Sequence, residues 1–474
     1  MVRSLQTTTE ESMQFCARDT PLQSEVRSRT FAFMKNAFEP GFMGAGWWGR
    51  ICGLALGCVA TAPAAALAAP VKVVQAPGGG WTLMRNGEPY AVRGAGGDSR
   101  LELLRELGGS TIRTWGVEQL DRHVDGRTLL DRCQDLGITV MAGIWVQHER
   151  HGFDYSDPLQ VRRQREEVRA AVRKFKNHPA ILIWGLGNEM EGPSADGRDP
   201  RIWRELEELA RIVKEEDPDH PVCTVIAGAA AGKVKAMMRD YPSIDILGVN
   251  AYAGAAGVGT ALAEAGWNKP FILAEYGPVG HWEVRQTPWG APIEAPAREK
   301  AENYLKAYRG AMQDSGGLCV GTFAFVWGQK QEVTSTWYGM FLPTGEKLPA
   351  VDAVAHAWTG AWPASRSPSI ERLDADFAEG VVKPGASLRV EAVVSDADGD
   401  PLTFDWRVVE ESTDRKEGGD HEAEPAALPE CVVRVEGARV ELQAPARSGA
   451  YRVFLYARDG RGGASADNFP FRVE

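Results

Sequence analysis

Eight short apolar runs that alternate with amphipathic segments constrain the fold more than any other feature of this sequence. The runs lie at 91–97, 110–116, 139–146, 180–189, 221–228, 244–252, 270–277 and 319–327. Between most of them apolar residues recur at helical spacing, as Ile202, Leu206 and Leu209 do. This order and length are typical of a (β/α)8 TIM barrel. An open doubly wound sheet is disfavoured, because GAGGD after the first run lacks the glycine spacing of a phosphate-binding loop.

The pattern changes after the segment VDAVAHAWTGAW. Residues 363–370 are rich in Pro and Ser and are predicted to be a linker. Residues 371–474 contain short alternating strands with Gly and Asp turns, which favour a small all-β domain, an immunoglobulin-like or PKD-like sandwich. The fold class is therefore α/β, with the barrel and a short β lead-in at 70–362. Within the sandwich, the charged insert at 412–425 is predicted to be a solvated hairpin loop.

The N-terminus resembles an export signal in an unusual place. Residues 1–42 are polar and mixed, and are interpreted as a poorly defined leader or a misassigned start. Residues 43–69 contain Arg50, an apolar run and an Ala-rich end near Ala68, the three parts of a signal peptide. We therefore expect an exported protein, periplasmic or extracellular. An uncleaved membrane anchor and a lipidated Cys58 are the alternatives.

Net charge and cysteine spacing argue against nucleic acid as a partner and against a zinc site. A net charge of −11 argues against nucleic acid, since phosphate binding needs a basic face. None of the cysteines beyond the leader has the spacing of a zinc site, and those in strand-like runs are predicted to be buried thiols. These cysteines are Cys133, Cys223, Cys319 and Cys431. No cofactor is expected.

Two glutamates stand at the ends of predicted barrel strands, where TIM barrels carry their functional residues. Glu189 ends the fourth run and Glu275 lies near the end of the seventh. Strands three apart in an eight-stranded barrel face each other, so a carboxyl separation of about 5–5.5 Å, the retaining geometry, is feasible. One carboxyl can then protonate the leaving oxygen while the other attacks the anomeric carbon. The pattern predicts Glu189 as acid/base and Glu275 as nucleophile.

Polar and aromatic residues at the other strand ends surround this pair. We expect Arg113 to keep Glu275 ionised and Tyr252 to donate a hydrogen bond to the same carboxylate. Asn188 is expected to bind the sugar hydroxyl next to the reacting carbon. The other predicted substrate-binding residues are Trp115, Trp145, His148, Asn250, Tyr276, Trp282, Trp327, Gln329 and Lys330.

Several of these residues have a structural alternative. Trp145 and Trp327 are equally compatible with packing roles. Trp282 lies in a long loop rich in Trp and Pro after the seventh strand, which is either a stacking subsite or a structural lid. Lys330 is compatible with an anionic sugar, and the alternative is that it is a solvated or ion-paired lysine.

Two segments carry a family resemblance. GLGNEMEG and ILAEYGPVG resemble the acid/base and nucleophile motifs of clan A glycoside hydrolases. Residues 80–360 are most similar to the family 2 catalytic barrel and to β-1,3-glucanosyltransferases, although Ala274 stands where the transferases have Ser. The resemblance implies a retaining β-glycosidase or transglycosylase acting on a β-glucan-type substrate by double displacement. It also implies supporting roles for Asn188, Arg113, Tyr252 and Trp327.

Other functions remain open at this stage. A non-catalytic carbohydrate-binding or adhesion protein on the same barrel is the main alternative, and a lyase or aldolase would need a strand-end lysine or metal cluster. The segment SDADGDPLTFDW resembles PKD-type and cadherin-like modules, so Asp396, Asp398 and Asp400 are weak calcium candidates. A simple polar turn is the alternative. Association with envelope polysaccharide through the sandwich is a further possibility.

Overall fold

The computed structural model describes residues 68–191, 197, 199–416 and 418–474. The predicted leader at 1–42 and nearly all of the predicted signal peptide at 43–69 lie outside the described residues, so both stay predictions. No helix in the described part of the chain is long and apolar enough to span a membrane.

A three-stranded antiparallel sheet precedes the barrel. Its strands are β1 (Val71–Gln75), β2 (Trp81–Arg85) and β3 (Glu88–Pro89). The sheet contacts the segments that enter the barrel strands, since the Trp81 backbone N–H donates to Gly317 and the Arg85 side chain donates to Pro179. The lead-in therefore caps the end of the barrel at which the strands begin.

Eight parallel strands close the barrel. After the lead-in the strands are β4 (Val92–Gly96), β5 (Thr111–Arg113), the hairpin strands β6 (His123–Val124) and β7 (Arg127–Thr128), β8 (Thr139–Ile144), β9 (Ile181–Asn188), β10 (Val222–Ala227), β11 (Ile246–Asn250), β12 (Phe271–Tyr276) and β13 (Cys319–Ala324). All but the hairpin strands pair in the closed order β4-β5-β8-β9-β10-β11-β12-β13. The predicted TIM barrel is confirmed.

Helices cover the outside of the barrel. They are α1 (Leu101–Glu106), α2 (Leu129–Asp135), α3 (Pro158–Phe175), α4 (Pro200–Glu216), α5 (Ala231–Asp240), α6 (Val258–Glu264), α7 (Ala297–Gln313) and α8 (Pro349–Thr359). The long helices α3 and α4 begin in the same way, with a capping aspartate followed by proline. Asp157 accepts the Leu159 N–H and Asp199 the Arg201 N–H, which satisfies a donor that a helix start leaves free.

The C-terminal domain is a sandwich of two four-stranded sheets. Its strands are β14 (Ser369–Asp374), β15 (Val381–Val382), β16 (Ser387–Ser395), β17 (Thr403–Glu410), β18 (Val432–Glu436), β19 (Arg439–Gln443), β20 (Gly449–Arg458) and β21 (Ala464–Val473). The sheet orders are β14-β16-β19-β18 and β15-β21-β20-β17. Trp406, Val453 and Phe471 lie in the core between them. The predicted all-β domain is confirmed.

The barrel and the sandwich belong to one compact unit. Arg452 on β20, only 1% exposed, pairs with Glu411 and donates to the Pro292 carbonyl in the loop after β12. Asn468 on β21 donates to Glu294 in the same loop, at 2.8 Å. Buried charges of this kind are tolerated only when hydrogen-bonded, so these contacts fix the sandwich against the barrel.

The thiols of the described chain are all buried and unpaired with one another. They are Cys133, Cys223, Cys319 and Cys431. Burial raises the pKa of the Cys223 and Cys319 thiols to about 12. These two residues are therefore inert packing groups, as their strand-like surroundings predicted.

Candidate active site

A continuous chain of hydrogen bonds joins the two glutamates at the barrel mouth. Arg113 on β5 donates to Glu275 Oε1 at 2.7 Å and to Asn188 Oδ1 at 2.7 Å. Asn250 on β11 donates both to Asn188 Oδ1 at 3.1 Å and to Glu189 Oε1 at 2.7 Å. Five residues from four strand ends thus form one network, because parallel strands bring their carboxyl ends to the same rim.

Glu275 is a buried carboxylate held in one position. It is 6% exposed and forms an ion pair with Arg113. Trp115 donates its indole N–H to the same oxygen, Oε1, at 3.1 Å. The Tyr252 hydroxyl donates to the other oxygen, Oε2, at 3.0 Å. Three donors on a single carboxylate fix its orientation, an arrangement suited to a nucleophile that attacks along one direction.

The environment of Glu189, unlike that of Glu275, favours the protonated form of the carboxyl. Burial of its carboxyl, together with the negative charge of Glu275, raises the pKa of Glu189 to about 7, against the lowering effect of the Asn250 hydrogen bond. Its side chain still retains some solvent exposure. Glu189 therefore keeps a proton near neutral pH, which is the requirement for a general acid.

The backbone at Glu189 is also unusual. Its φ of +50° lies in the left-handed region, which non-glycine residues seldom adopt. Gly187, two residues earlier, has a φ of +72°. The Glu189 N–H donates to Val225 on the neighbouring strand β10 at 2.8 Å. Strain that is fixed by surrounding contacts tends to occur where function requires a particular geometry.

Aromatic side chains surround Glu189 and Glu275. Trp115, Phe325, Trp337 and Tyr338 form a buried cluster at the mouth with Tyr252 packed against it. The Trp282 ring lies edge-on to Tyr252, with ring centres 5.6 Å apart, and is 57% exposed. The cluster screens the carboxylates from water, and the exposed Trp282 offers a flat face to which a sugar ring can bind.

Two predicted substrate-binding residues face away from this site. Tyr276 is fully buried against Tyr304 of α7, because it follows Glu275 on the strand and side chains alternate between faces. Trp327 is 1% exposed and packs against Phe341 and Trp358. Neither residue is placed to contact a substrate, and for Trp327 the packing alternative describes its position.

Other predicted residues lie at the mouth but are engaged with protein groups. Trp145 lies against His148, with ring centres 5.0 Å apart. Burial and the charge of Arg150 lower the pKa of His148 to about 3, so His148 is neutral and unsuited to act as the acid. Lys330 forms an ion pair with Glu332 at 3.2 Å, and Gln329 beside it is partly exposed. The ion-paired alternative for Lys330 matches this arrangement.

Sequence reasoning missed the acidic residue Glu332. It is 6% exposed, and burial raises its pKa, with a smaller contribution from the charge of Glu275. The His281 ring, which contacts the Tyr338 hydroxyl at 3.1 Å, lies 3.9 Å from the Glu332 carboxyl. The predicted residues of this loop, Gln329 and Lys330, directly follow the eighth apolar run, whereas Glu332 lies further into the loop after β13.

The three calcium candidates of the sandwich form a separate cluster. A carboxylate oxygen of each of Asp396, Asp398 and Asp400 lies within 4.8 Å of the others. Asp396 accepts the backbone N–H groups of Asp398 and Asp400, and Asp400 pairs with Arg461. These bonds match the polar-turn alternative, and calcium binding stays a prediction.

The barrel is similar to the barrels of known glycoside hydrolases. The family description "Glycosyl hydrolases family 2, TIM barrel domain" matches residues 121–281, a span that includes Glu189 and Glu275. A β-glucuronidase of Rattus norvegicus is 26% identical over 234 residues, which are 47% of this chain and 28% of that protein. A β-galactosidase of Lactococcus lactis is 28% identical over 149 residues, 30% of this chain and 14% of that protein.

Among solved structures, a β-glucuronidase of Bacteroides uniformis is similar to this chain. It has 16% sequence identity and a TM-score of 0.45, and the match covers 83% of this chain and 47% of that chain. This chain spans less than a third of the length of either curated relative described above.

Proposed function

We propose that this chain, whose barrel is that of a clan A glycoside hydrolase, cleaves β-glycosides through a covalent glycosyl-enzyme intermediate. The observation that carries the proposal is the contrast between its two linked glutamates. Glu275 is a positioned, ion-paired carboxylate, whereas Glu189 holds its proton to about neutral pH. A retaining glycosidase needs one carboxyl in each of these states.

In the first step Glu275 attacks the anomeric carbon of the bound sugar. The C–O bond to the leaving group breaks, and Glu189 transfers its proton to the departing oxygen. The proton loss leaves Glu189 as a carboxylate. The positive charge of Arg113, three hydrogen bonds away through Asn188 and Asn250, helps to stabilise the new charge. The product of this step is a glycosyl ester on Glu275.

In the second step Glu189 acts as the base. It takes a proton from a water molecule whose oxygen attacks the anomeric carbon, and the ester bond to Glu275 breaks. Each of the two displacements inverts the configuration at the anomeric carbon, so the overall reaction retains it. Both glutamates return to their starting states. A sugar hydroxyl in place of water would give transglycosylation by the same two steps.

The substrate we propose is a β-glucuronide or a β-galactoside. The names of the similar proteins, β-glucuronidase and β-galactosidase, support this class. They do not support the β-glucan that the sequence resemblance implied. Carbohydrate is accordingly the proposed partner of the barrel mouth.

The test combines a substrate panel with covalent trapping. Nitrophenyl β-glucuronide, β-galacturonide, β-galactoside and β-glucoside, along with β-glucan oligomers, measure the preferred sugar. The 2-deoxy-2-fluoro analogue of the best substrate then labels the nucleophile for peptide mass spectrometry. We expect the label on Glu275 and faster turnover on the glucuronide or galactoside than on β-glucans.

A label on another residue, or full activity in Glu275→Ala, would reject the mechanism. Preference for β-glucans would reject the substrate class alone. Absence of cleavage and labelling across the whole panel would instead favour the non-catalytic carbohydrate-binding alternative. The presence of both glutamates in one hydrogen-bonded network argues against that alternative.

We also propose that the protein is exported. The support is the charged residue Arg50 followed by an apolar run with an Ala-rich end. N-terminal sequencing of the protein recovered from its own cells tests this, with a new N-terminus near Ala68 expected. An intact N-terminus on a cytosolic protein would reject it.

A further inference from the structure

The charged insert of the sandwich, at 412–425, lies on the barrel mouth. Ser412 is 5% exposed and Glu422 only 2% exposed, so a segment predicted to be a solvated loop has buried polar groups. The insert leaves the sandwich after β17 and returns before β18. Its burial comes from contacts with the barrel and within the insert itself.

The contacts join the insert to three loops that leave the barrel strands. Lys330, after β13, donates to the Gly419 carbonyl at 2.8 Å. Asp420 lies 3.4 Å from the His151 ring nitrogen, after β8. Arg415 donates to the Gly290 carbonyl, after β12, at 3.1 Å. All three loops extend from the carboxyl ends of the strands, which is the end that carries Glu189 and Glu275.

Gly418 and Gly419 make this approach possible. Their φ angles are +64° and +77°, which favour glycine. A Cβ atom on Gly418 would lie 2.6 Å from the Arg150 guanidinium, and one on Gly419 would lie 2.9 Å from Lys330 Nζ. The backbone of the insert therefore packs directly against charged groups of the mouth.

Glu422 makes the most specific contact. Its Oε2 accepts the backbone N–H of Val333 at 2.6 Å, and its Oε1 accepts the N–H of Lys416 at 2.9 Å. Val333 has a φ of +62°, and a β-branched residue in that region is strained. The Val333 N–H donates this hydrogen bond to a buried carboxylate, which stabilises the strained conformation.

Residues on either side of Val333 lie close to groups of the candidate active site. Glu332, the residue before Val333, is close enough to Glu275 for their charges to interact. Tyr338 packs against Tyr252 with ring centres 5.5 Å apart, and Tyr252 is the hydroxyl donor to Glu275. Movement of the Val333 turn would therefore disturb groups around the nucleophile.

We propose that the sandwich supplies part of the active site and that Glu422 is a positioning residue, which fixes the Val333 turn beside the nucleophile. The inference rests on the proposed function, since it assigns Glu422 an effect on glycoside cleavage. The sandwich is in this view a component of the catalytic unit as well as an attached module.

The test uses three variants of the full chain. Glu422→Ala removes both hydrogen bonds, and Glu422→Gln keeps one acceptor oxygen. Glu424→Ala is the matched control, because Glu424 is exposed on the same insert. For each variant, kcat and KM are measured on the best panel substrate, and hydrogen–deuterium exchange is measured over residues 329–341.

We expect Glu422→Ala to lower kcat roughly 10- to 100-fold, the loss typical of a charged hydrogen bond, with little change in KM. Exchange at the Val333 amide should become faster, Glu422→Gln should fall between wild type and Glu422→Ala, and Glu424→Ala should match wild type. Melting curves confirm that each variant is folded during the assay.

Wild-type kcat in a folded Glu422→Ala protein would overturn the inference. Unchanged exchange at Val333 would overturn it as well, whether or not the protein cleaves a glycoside. An inactive wild type would instead reject the proposed function and, with it, the catalytic role of Glu422, while the exchange result would still decide whether Glu422 holds the turn.

Discussion

The two ends of the barrel differ in the side chains that they bury: apolar residues at one end and an ion pair at the other. At the end where the strands begin, Val71 and Leu83 of the lead-in sheet pack on apolar barrel residues such as Leu182. At the other end, Arg113 and Glu275 are buried as an ion pair inside a hydrogen-bonded network.

A buried ion pair is costly to desolvate and is often no more stabilising than apolar residues of similar size. Apolar packing at the mouth would therefore serve stability as well. The contrast matches a lead-in end that stabilises the fold and a mouth that serves the proposed chemistry, the division usual in TIM barrels.

The largest effect should follow from changing Glu275, the proposed nucleophile. Glu275→Gln keeps the shape of the side chain but removes the attacking charge, so kcat should fall on the order of 10⁴-fold or more. Glu205→Gln is the matched control, because Glu205 is also buried and paired with an arginine, Arg165, but lies on α4. Equal losses in the two variants would erase the distinction between the mouth and the rest of the barrel.

A change at Glu189, the proposed acid/base, should give a smaller loss of kcat and a change in the pH profile. Glu189→Gln should lower kcat about 10²- to 10⁴-fold. In the wild type, kcat/KM should decline above the pKa of Glu189, about 7, because the acid loses its proton there. A wild-type profile that stays flat to pH 9 would contradict the assignment of Glu189.

The same residue makes a prediction about stability. Its folded-state pKa of about 7 lies above the ordinary value of 4.5, so the folded protein binds the proton more tightly than the unfolded chain. The contribution of Glu189 to stability should therefore decrease as the pH rises from about 4.5 to about 7. Glu189→Gln should reduce that decrease in urea unfolding measured across this range.

Substitutions in the lead-in sheet should change the free energy of unfolding and leave kcat unchanged. Leu83 is 1% exposed, and Leu83→Ala should lower the free energy of unfolding by about 2–5 kcal/mol through the cavity it leaves. Val74→Ala, on the neighbouring strand and 37% exposed, should cost far less. Below the melting temperature kcat should match wild type in both. A fall in kcat for folded Leu83→Ala would show that the two ends are coupled.

The parts that sequence predicted are those governed by local periodicity. Alternating strands and helices gave the barrel, and strand ends brought Arg113, Asn188 and Glu275 to one place. Trp327 illustrates the limit, because β13 ends at Ala324 and the chain then turns its side chain towards α8. The insert at 412–425 is a second case. Its polar composition predicts solvent exposure, whereas its burial depends on Val333, which lies 89 residues from Glu422.

The smallest effect should come from changing Asn250, whose side-chain amide connects Glu189 to the rest of the hydrogen-bonded network. Asn250 donates to Glu189 and lowers its pKa, opposing the effects of burial and of Glu275. Asn250→Ala removes that donor, so the alkaline limb of kcat/KM should move to higher pH, and kcat should fall about 10-fold or less. Asn268→Ala is the control, because the Asn268 carbonyl accepts the Trp81 indole N–H at the lead-in end of the same barrel. This variant should leave the pH profile unchanged. A limb that moved to lower pH would mean that burial and neighbouring charge do not set the proton affinity of Glu189, and the contrast between the two glutamates would then need another cause.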